Sequence, residues 1–181
     1  MLQKELKRER YKRRFRRLLH STTNALVVVA AVAALIATLV LPVLQIAGTS
    51  MEPSLNDGDI VLLVKTDRLE NGDLCAFYFS NKILIKRIIG VPGDYLWINP
   101  DGTVYLNGTE LQEPYITEKS LGECDIEFPY QVPENHYFMM GDHRETSIDS
   151  RSTVIGGIAE DQIIGKILWK IWPLQESRWM G

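Results

Sequence analysis

Two side chains in this sequence have the types needed for acyl transfer without a histidine. Ser50 stands in Gly48-Thr49-Ser50-Met51-Glu52-Pro53-Ser54-Leu55, and Lys86 in Ile83-Leu84-Ile85-Lys86-Arg87-Ile88-Ile89-Gly90-Val91-Pro92-Gly93-Asp94. A serine nucleophile needs a base for its proton and N–H groups for the developing oxyanion. Gly48 leaves the backbone bare enough to supply such donors. An ordinary loop serine fits the same description, so this segment alone decides nothing. Lys86 and Arg87 are adjacent in a strand-like run, and strand alternation sends them to opposite faces. One of the two is therefore expected to point toward the core. A lysine there loses hydration and its pKa falls, and a neutral amine is a general base. In the competing arrangement Lys86 runs outward with its stem along apolar surface.

A third segment, Met139-Met140-Gly141-Asp142-His143-Arg144-Glu145-Thr146-Ser147-Ile148-Asp149-Ser150-Arg151, is densely polar between apolar flanks. Asp149 and Arg151 have the charges to pair and fix a loop, and Ser147 has a hydroxyl to orient a lysine nitrogen. A plain surface loop explains the same residues. Other chemistries find no support. The histidines are His20, His136 and His143, and no HExxH, P-loop or GxSxG pattern occurs. His143, set among charges, reads as a solvated loop histidine rather than a base. Cys75 and Cys124 form no CxxC pair, so neither a metal nor a redox motif is present and no cofactor is expected. Whether they pair stays open: an extracytoplasmic body permits a disulfide, and Cys75 in an apolar run suits a buried thiol.

The elements that must position these residues are announced by charge. Residues 1–20 hold nine Lys/Arg against two Glu, whereas the rest of the chain holds 11 Lys/Arg against 21 Asp/Glu. A basic arm on an acidic body suits nucleic acid or a membrane surface. The residues after the arm select the membrane: no Asp, Glu, Lys or Arg occurs from Leu18 to Met51, and Ala25–Leu41 has Thr38 as its one polar residue. Continued to Leu44, the run reaches 20 residues, the length that spans a hydrocarbon core. A cleaved secretory leader has a shorter apolar stretch, and a core helix would show periodic polar residues. The reading is a basic cytoplasmic arm over 1–20, a transmembrane helix over 21–44 and an extracytoplasmic domain over 45–181, oriented by the positive-inside rule. No nucleic-acid partner is expected.

The body reads as mostly β, a sandwich or barrel-like domain behind that single helix. Asp59–Lys65, Leu74–Phe79, Lys82–Ile89, Tyr137–Met140 and Ile163–Trp172 are strand-like, and no amphipathic helix is evident after Glu52. Asn56-Asp57-Gly58, Asn71-Gly72-Asp73 and Pro92-Gly93-Asp94 are turn signals, and Asn107-Gly108 between Thr103–Leu106 and Thr109–Leu111 marks a hairpin. Trp169 and Trp172 are expected in the core, and Trp179 at the bilayer interface.

Together, in this order behind one apolar segment, the three polar segments resemble type I signal peptidases. That family shows SMxPTL, KRxxGxPGD and GDNRxxSxDSR segments, which stand here as SMEPSL (50–55), KRIIGVPGD (86–94) and GDHRETSIDSR (141–151). The resemblance implies a mostly β fold, a Ser-Lys dyad, and cleavage of signal-peptide-bearing preproteins after small residues at the outer membrane face, in contact with membrane lipid. It implies Ser50 as nucleophile, Lys86 as general base, Ser147 as the serine orienting the lysine, and Asp149 with Arg151 as a supporting pair. Met51 and apolar neighbours would keep Lys86 dry. Some members carry a serine where Gly48 stands, so oxyanion donors here are expected from the backbone at Gly48 and Ser50. Ser54 replaces a threonine and His143 an asparagine. Two other functions use parts of the same pattern. A Ser-Lys self-cleaving regulator would need a DNA-binding or sensor domain, which is not evident. A non-enzymatic membrane assembly factor would need neither Ser50 nor Lys86. Within proteolysis, a role confined to a few surface or pilus-type substrates is the alternative to general processing.

Overall fold

The structure is a computed structural model, and it describes residues 22–35 and 42–180. The basic arm and parts of the expected span lie outside the described residues. Residues 22–35 form a helix whose sequence is almost wholly Ala, Leu and Val after Asn24. Among the described residues, no helix is long and apolar enough to cross a membrane. The chain divides into two units, Met1–Val40 and Leu41–Gly181. The second carries the Ser50, Lys86 and 141–151 segments.

The described residues of that second unit form twelve strands: β1 Val43–Gln45, β2 Ile60–Val64, β3 Leu74–Phe79, β4 Lys82–Gly90, β5 Tyr95–Ile98, β6 Val104–Leu106, β7 Thr109–Glu110, β8 Tyr130–Gln131, β9 His136–Met140, β10 Ile158–Ala159, β11 Ile163–Trp172 and β12 Arg178–Trp179. Two short 3-10 turns, Glu160–Gln162 and Leu174–Glu176, are the only helical pieces of this unit among the described residues. The mostly β expectation holds. Eight strands form one sheet in the order β1-β2-β11-β3-β4-β9-β10, with β12 added to β11, and four form a second in the order β7-β6-β5-β8. β1 corrects one boundary. Val43 and Leu44, assigned to the span from their apolarity, instead pair with Leu62 and Val61 of β2. Pro42 sits just before them, where a helix would end in any case.

Turn chemistry sets the connections. Asp73 closes the Asn71-Gly72-Asp73 turn by accepting the Glu70 N–H at 3.0 Å, and β3 and β4 then pair in unbroken register from Leu74↔Arg87 to Phe79↔Lys82. Asp94 accepts the Val91 N–H at 2.9 Å after β4. Asn107-Gly108 joins β6 to β7 as a hairpin. The core lies in three clusters. One, around Met51, Leu55, Val61, Leu63, Leu74 and Ile167, includes residues of the Ser50 segment, another fills the second sheet, and the third backs β3 and β9.

Strand β11 departs from the expected alternation. Its pairing with β2 shifts register between Ile167 and Trp169 and again between Lys170 and Trp172. Such irregularities re-aim side chains. Lys170 consequently points inward and pairs with Asp59 at 2.7 Å. Trp169 and Trp172, expected in the core, are instead 40% and 51% exposed. Trp169 packs edge-on against Trp179, their ring centroids 5.6 Å apart.

Candidate active site

Ser50 is held by the loop between β1 and β2. The base of that loop is stitched by Ile46 N–H to Asp59 O at 2.8 Å and Gly58 N–H to Ile46 O at 3.0 Å. Inside it, Glu52 N–H donates to Thr49 O and Leu55 N–H to Met51 O, while Met51 and Leu55 are buried as anchors. Lys86 reaches the serine from the middle of β4, and its Nζ donates to Ser50 Oγ at 2.8 Å. Lys86 is only 4% exposed. Burial is the main influence on it and brings its pKa from 10.5 down to about 8, with Asp149 and Asp142 pulling upward and Arg151 downward. A groove of about 210 Å³ runs past the pair, lined by β1 residues Leu44 and Gln45, Gly48 and Met51 of the loop, and Ile83–Lys86 of β4.

Both neighbouring cations are buried, which strand alternation alone does not predict. Lys86 and Arg87 occupy opposite faces, but each face is covered. Arg87 donates to both carboxylate oxygens of Asp142, at 2.8 and 2.6 Å, to Ser54 Oγ at 3.0 Å and to Gly72 O at 2.7 Å. Its guanidinium also lies 3.9 Å from the centre of the Tyr115 ring. One buried arginine thus ties the SMEPSL, KRIIGVPGD and GDHRETSIDSR segments together. Arg87, Asp142, Ser54 and Tyr115 were missed as site residues. Arg87 and Asp142 were visible within the motifs, whereas nothing in the sequence marked Tyr115.

The 141–151 loop is a buried polar network, not a surface loop. Asp149 accepts from Arg151 Nε at 2.8 Å, from Ser147 Oγ at 2.7 Å and from Gly141 N–H at 2.9 Å. Arg151 also reaches the backbone oxygens of Leu121, Arg144 and Ser147. Arg144 is clamped by Glu113 and donates to Gly141 O. The loop meets the Ser50 segment through His143 N–H, which donates to Ser50 O at 3.1 Å. Gly141 makes this approach possible. A Cβ there would run into Ser147 Oγ and stand 2.6 Å from Ser50 O.

The structure therefore brings Ser50, Lys86, Met51, Ser147, Asp149 and Arg151 into one region, with two changes of detail. Ser147 donates its hydroxyl proton to Asp149 rather than meeting Lys86, whose own hydrogen bond goes to Ser50. The Gly48 N–H, expected as an oxyanion donor, donates to Asp57 Oδ1 at 2.8 Å. The Ser50 N–H has no protein acceptor among the described residues. The His143 ring bonds Thr146 and not Ser50, in keeping with its reading as a loop histidine. Cys75 and Cys124 are free thiols, and burial pushes Cys75 up to about 12.

A serine hydrogen-bonded to a buried lysine beside a groove is an arrangement that can activate a hydroxyl without a histidine. Residues 19–172 match the family described as signal peptidase, peptidase S26. The chain is 37% identical over 155 residues to signal peptidase IB of Staphylococcus aureus (strain MRSA252), covering 74% of this chain and 79% of that protein. It is 33% identical over 168 residues to signal peptidase I of Bacillus licheniformis, covering 86% and 89%. A crystal structure of a signal peptidase I from Enterococcus faecalis V583 aligns with a TM-score of 0.46 at 27% identity, over 56% of this chain and 98% of that one. The chain belongs to the type I signal peptidases of the S26 family, which are serine endopeptidases.

Proposed function

We propose that this protein cleaves the signal peptides of exported preproteins after small residues, with Ser50 as nucleophile and Lys86 as general base. The single observation that carries the reading is the 2.8 Å hydrogen bond between Ser50 Oγ and a lysine almost wholly removed from water. With Lys86 neutral, the same contact lets Nζ take the Ser50 proton as Oγ bonds to the scissile carbonyl carbon. The oxyanion forms beside the Ser50 N–H. The C–N bond then breaks as the Lys86 ammonium returns its proton to the leaving amine, giving an acyl-enzyme and the new N-terminus. Water next attacks the ester, Lys86 accepts its proton, and Ser50 is released protonated.

Asp149 with Arg151 keeps the 141–151 loop rigid, Ser147 is held within that network, and Met51 helps exclude water from Lys86. The groove beside Ser50 takes the residues before the cut. Its apolar lining suits small side chains. Residues 1–20 lie in the cytoplasm, a membrane span precedes Val43, and the β domain sits outside the membrane; the charge asymmetry and the apolar run support this topology.

The test is cleavage of a preprotein bearing an Ala-X-Ala site by wild type, Ser50→Ala and Lys86→Ala. Both variants should lose cleavage, and full activity in either removes the dyad. In the wild type the rate should rise with pH through about 8 as Lys86 deprotonates. A rate that stays flat across that region counts against lysine as the base.

A further inference from the structure

Beside the nucleophile, the loop base carries a bond that the acyl-transfer steps do not use. After the two backbone stitches at Ile46, the next tie toward Ser50 is made by a side chain. Asp57 Oδ1 accepts the Gly48 N–H at 2.8 Å, across nine residues of chain. Gly48 has φ +96°, a conformation that L side chains rarely adopt, and a Cβ there would meet nothing within 4 Å. No side chain at Gly48 anchors this turn, and the Asp57 carboxylate ties it by a hydrogen bond. The turn sits two residues before Ser50, so its setting fixes the direction of the next peptide units, including the Ser50 N–H.

We propose that Asp57 is a positioning residue for the nucleophile. Accepting the Gly48 N–H, it withdraws that donor from the oxyanion and locks the turn so that the Ser50 N–H serves there. The proposal rests on the reading of Ser50 as nucleophile. Asp57 is exposed, so a change there leaves the core untouched. What matters is an acceptor at Oδ1, not the charge: asparagine keeps the acceptor and alanine removes it.

The experiment compares full-length wild type, Asp57→Ala, Asp57→Asn and Ser50→Ala on an Ala-X-Ala preprotein, reading kcat and KM separately and the melting temperature of each. Asp57→Ala should lose about 3- to 10-fold in kcat, the effect of one hydrogen bond, with KM and melting temperature unchanged. Asp57→Asn should retain the wild-type kcat. Asp57→Ala at or above the wild-type kcat would overturn the inference, since the freed Gly48 N–H would then be harmless or would itself bind the oxyanion. Asp57→Asn as slow as Asp57→Ala would also overturn it, because charge and not the acceptor would matter. A rise in KM alone would place Asp57 in substrate binding and reject the positioning role. Activity in Ser50→Ala would remove the dyad reading and this inference with it; the other negative outcomes leave the dyad standing.

Discussion

Replacing Lys86 with methionine should abolish cleavage and yet make the folded domain more stable near neutral pH. The lysine titrates at 10.5 in the unfolded chain and at about 8 when folded. Below the folded value both states hold the proton, and the native state bears the full burden of a buried ammonium. Above 10.5 both are neutral and the burden vanishes. Stability linked to this group is therefore complete at high pH and is lost as pH falls toward about 8. At about 1.4 kcal/mol per pH unit, the whole window corresponds to about 3 kcal/mol, of which about 2 kcal/mol falls between about pH 7 and pH 9.5. Methionine fills a similar volume with no charge. Its one loss is the hydrogen bond to Ser50, about 1 kcal/mol and independent of pH in this range. Urea unfolding of both proteins, followed by tryptophan fluorescence, measures the difference at each pH. Wild type should gain on Lys86→Met by about 2 kcal/mol as pH rises over that interval. A difference that stays constant with pH would refute the desolvated lysine and the base assignment built on it.

Gly141→Ala should inactivate the enzyme, because the new methyl would collide with both Ser147 and Ser50 O; wild-type cleavage by this variant would mean the loop yields freely. Arg87→Lys removes the forked contact to Asp142 and the stack on Tyr115, and should destabilise the domain by about 3 kcal/mol in urea unfolding. The thiol of Cys75 should resist alkylation in the native protein while the half-buried Cys124 reacts, and reductant should leave cleavage unchanged; mass spectrometry of the labelled chain reads the two sites.

Much of this site could be read from the sequence because its parts are local patterns. β3 and β11 have the bounds that their apolar runs indicate, and Asn107-Gly108 turns where a hairpin turn is needed. What pattern reading could not supply was long-range. Alternation placed Lys86 and Arg87 on opposite faces, but only the fold covers both faces, with Ser50 on one and Asp142 and Tyr115 on the other. The bulges of β11 were equally silent, so a lysine took a place that period-two reading would give to a tryptophan. Apolarity likewise could not tell the last residues of a span from an edge strand, and Val43 and Leu44 proved to be strand. The Gly48 N–H shows the same limit at atomic scale, since its acceptor lies nine residues away in a turn signal with no evident role of its own.

The Arg87 knot bears on the order in which the domain can close during synthesis. Ser50 leaves the ribosome long before Asp142, and His143, whose N–H donates to Ser50 O, follows Asp142. Until that late segment arrives, Arg87 lacks its carboxylate partner and Ser50 O lacks the His143 N–H. A growing chain therefore holds the Ser50 and Lys86 segments before the residues that bind them together exist. The Arg87 site can close only once the chain has been made past Asp142, well into the β domain.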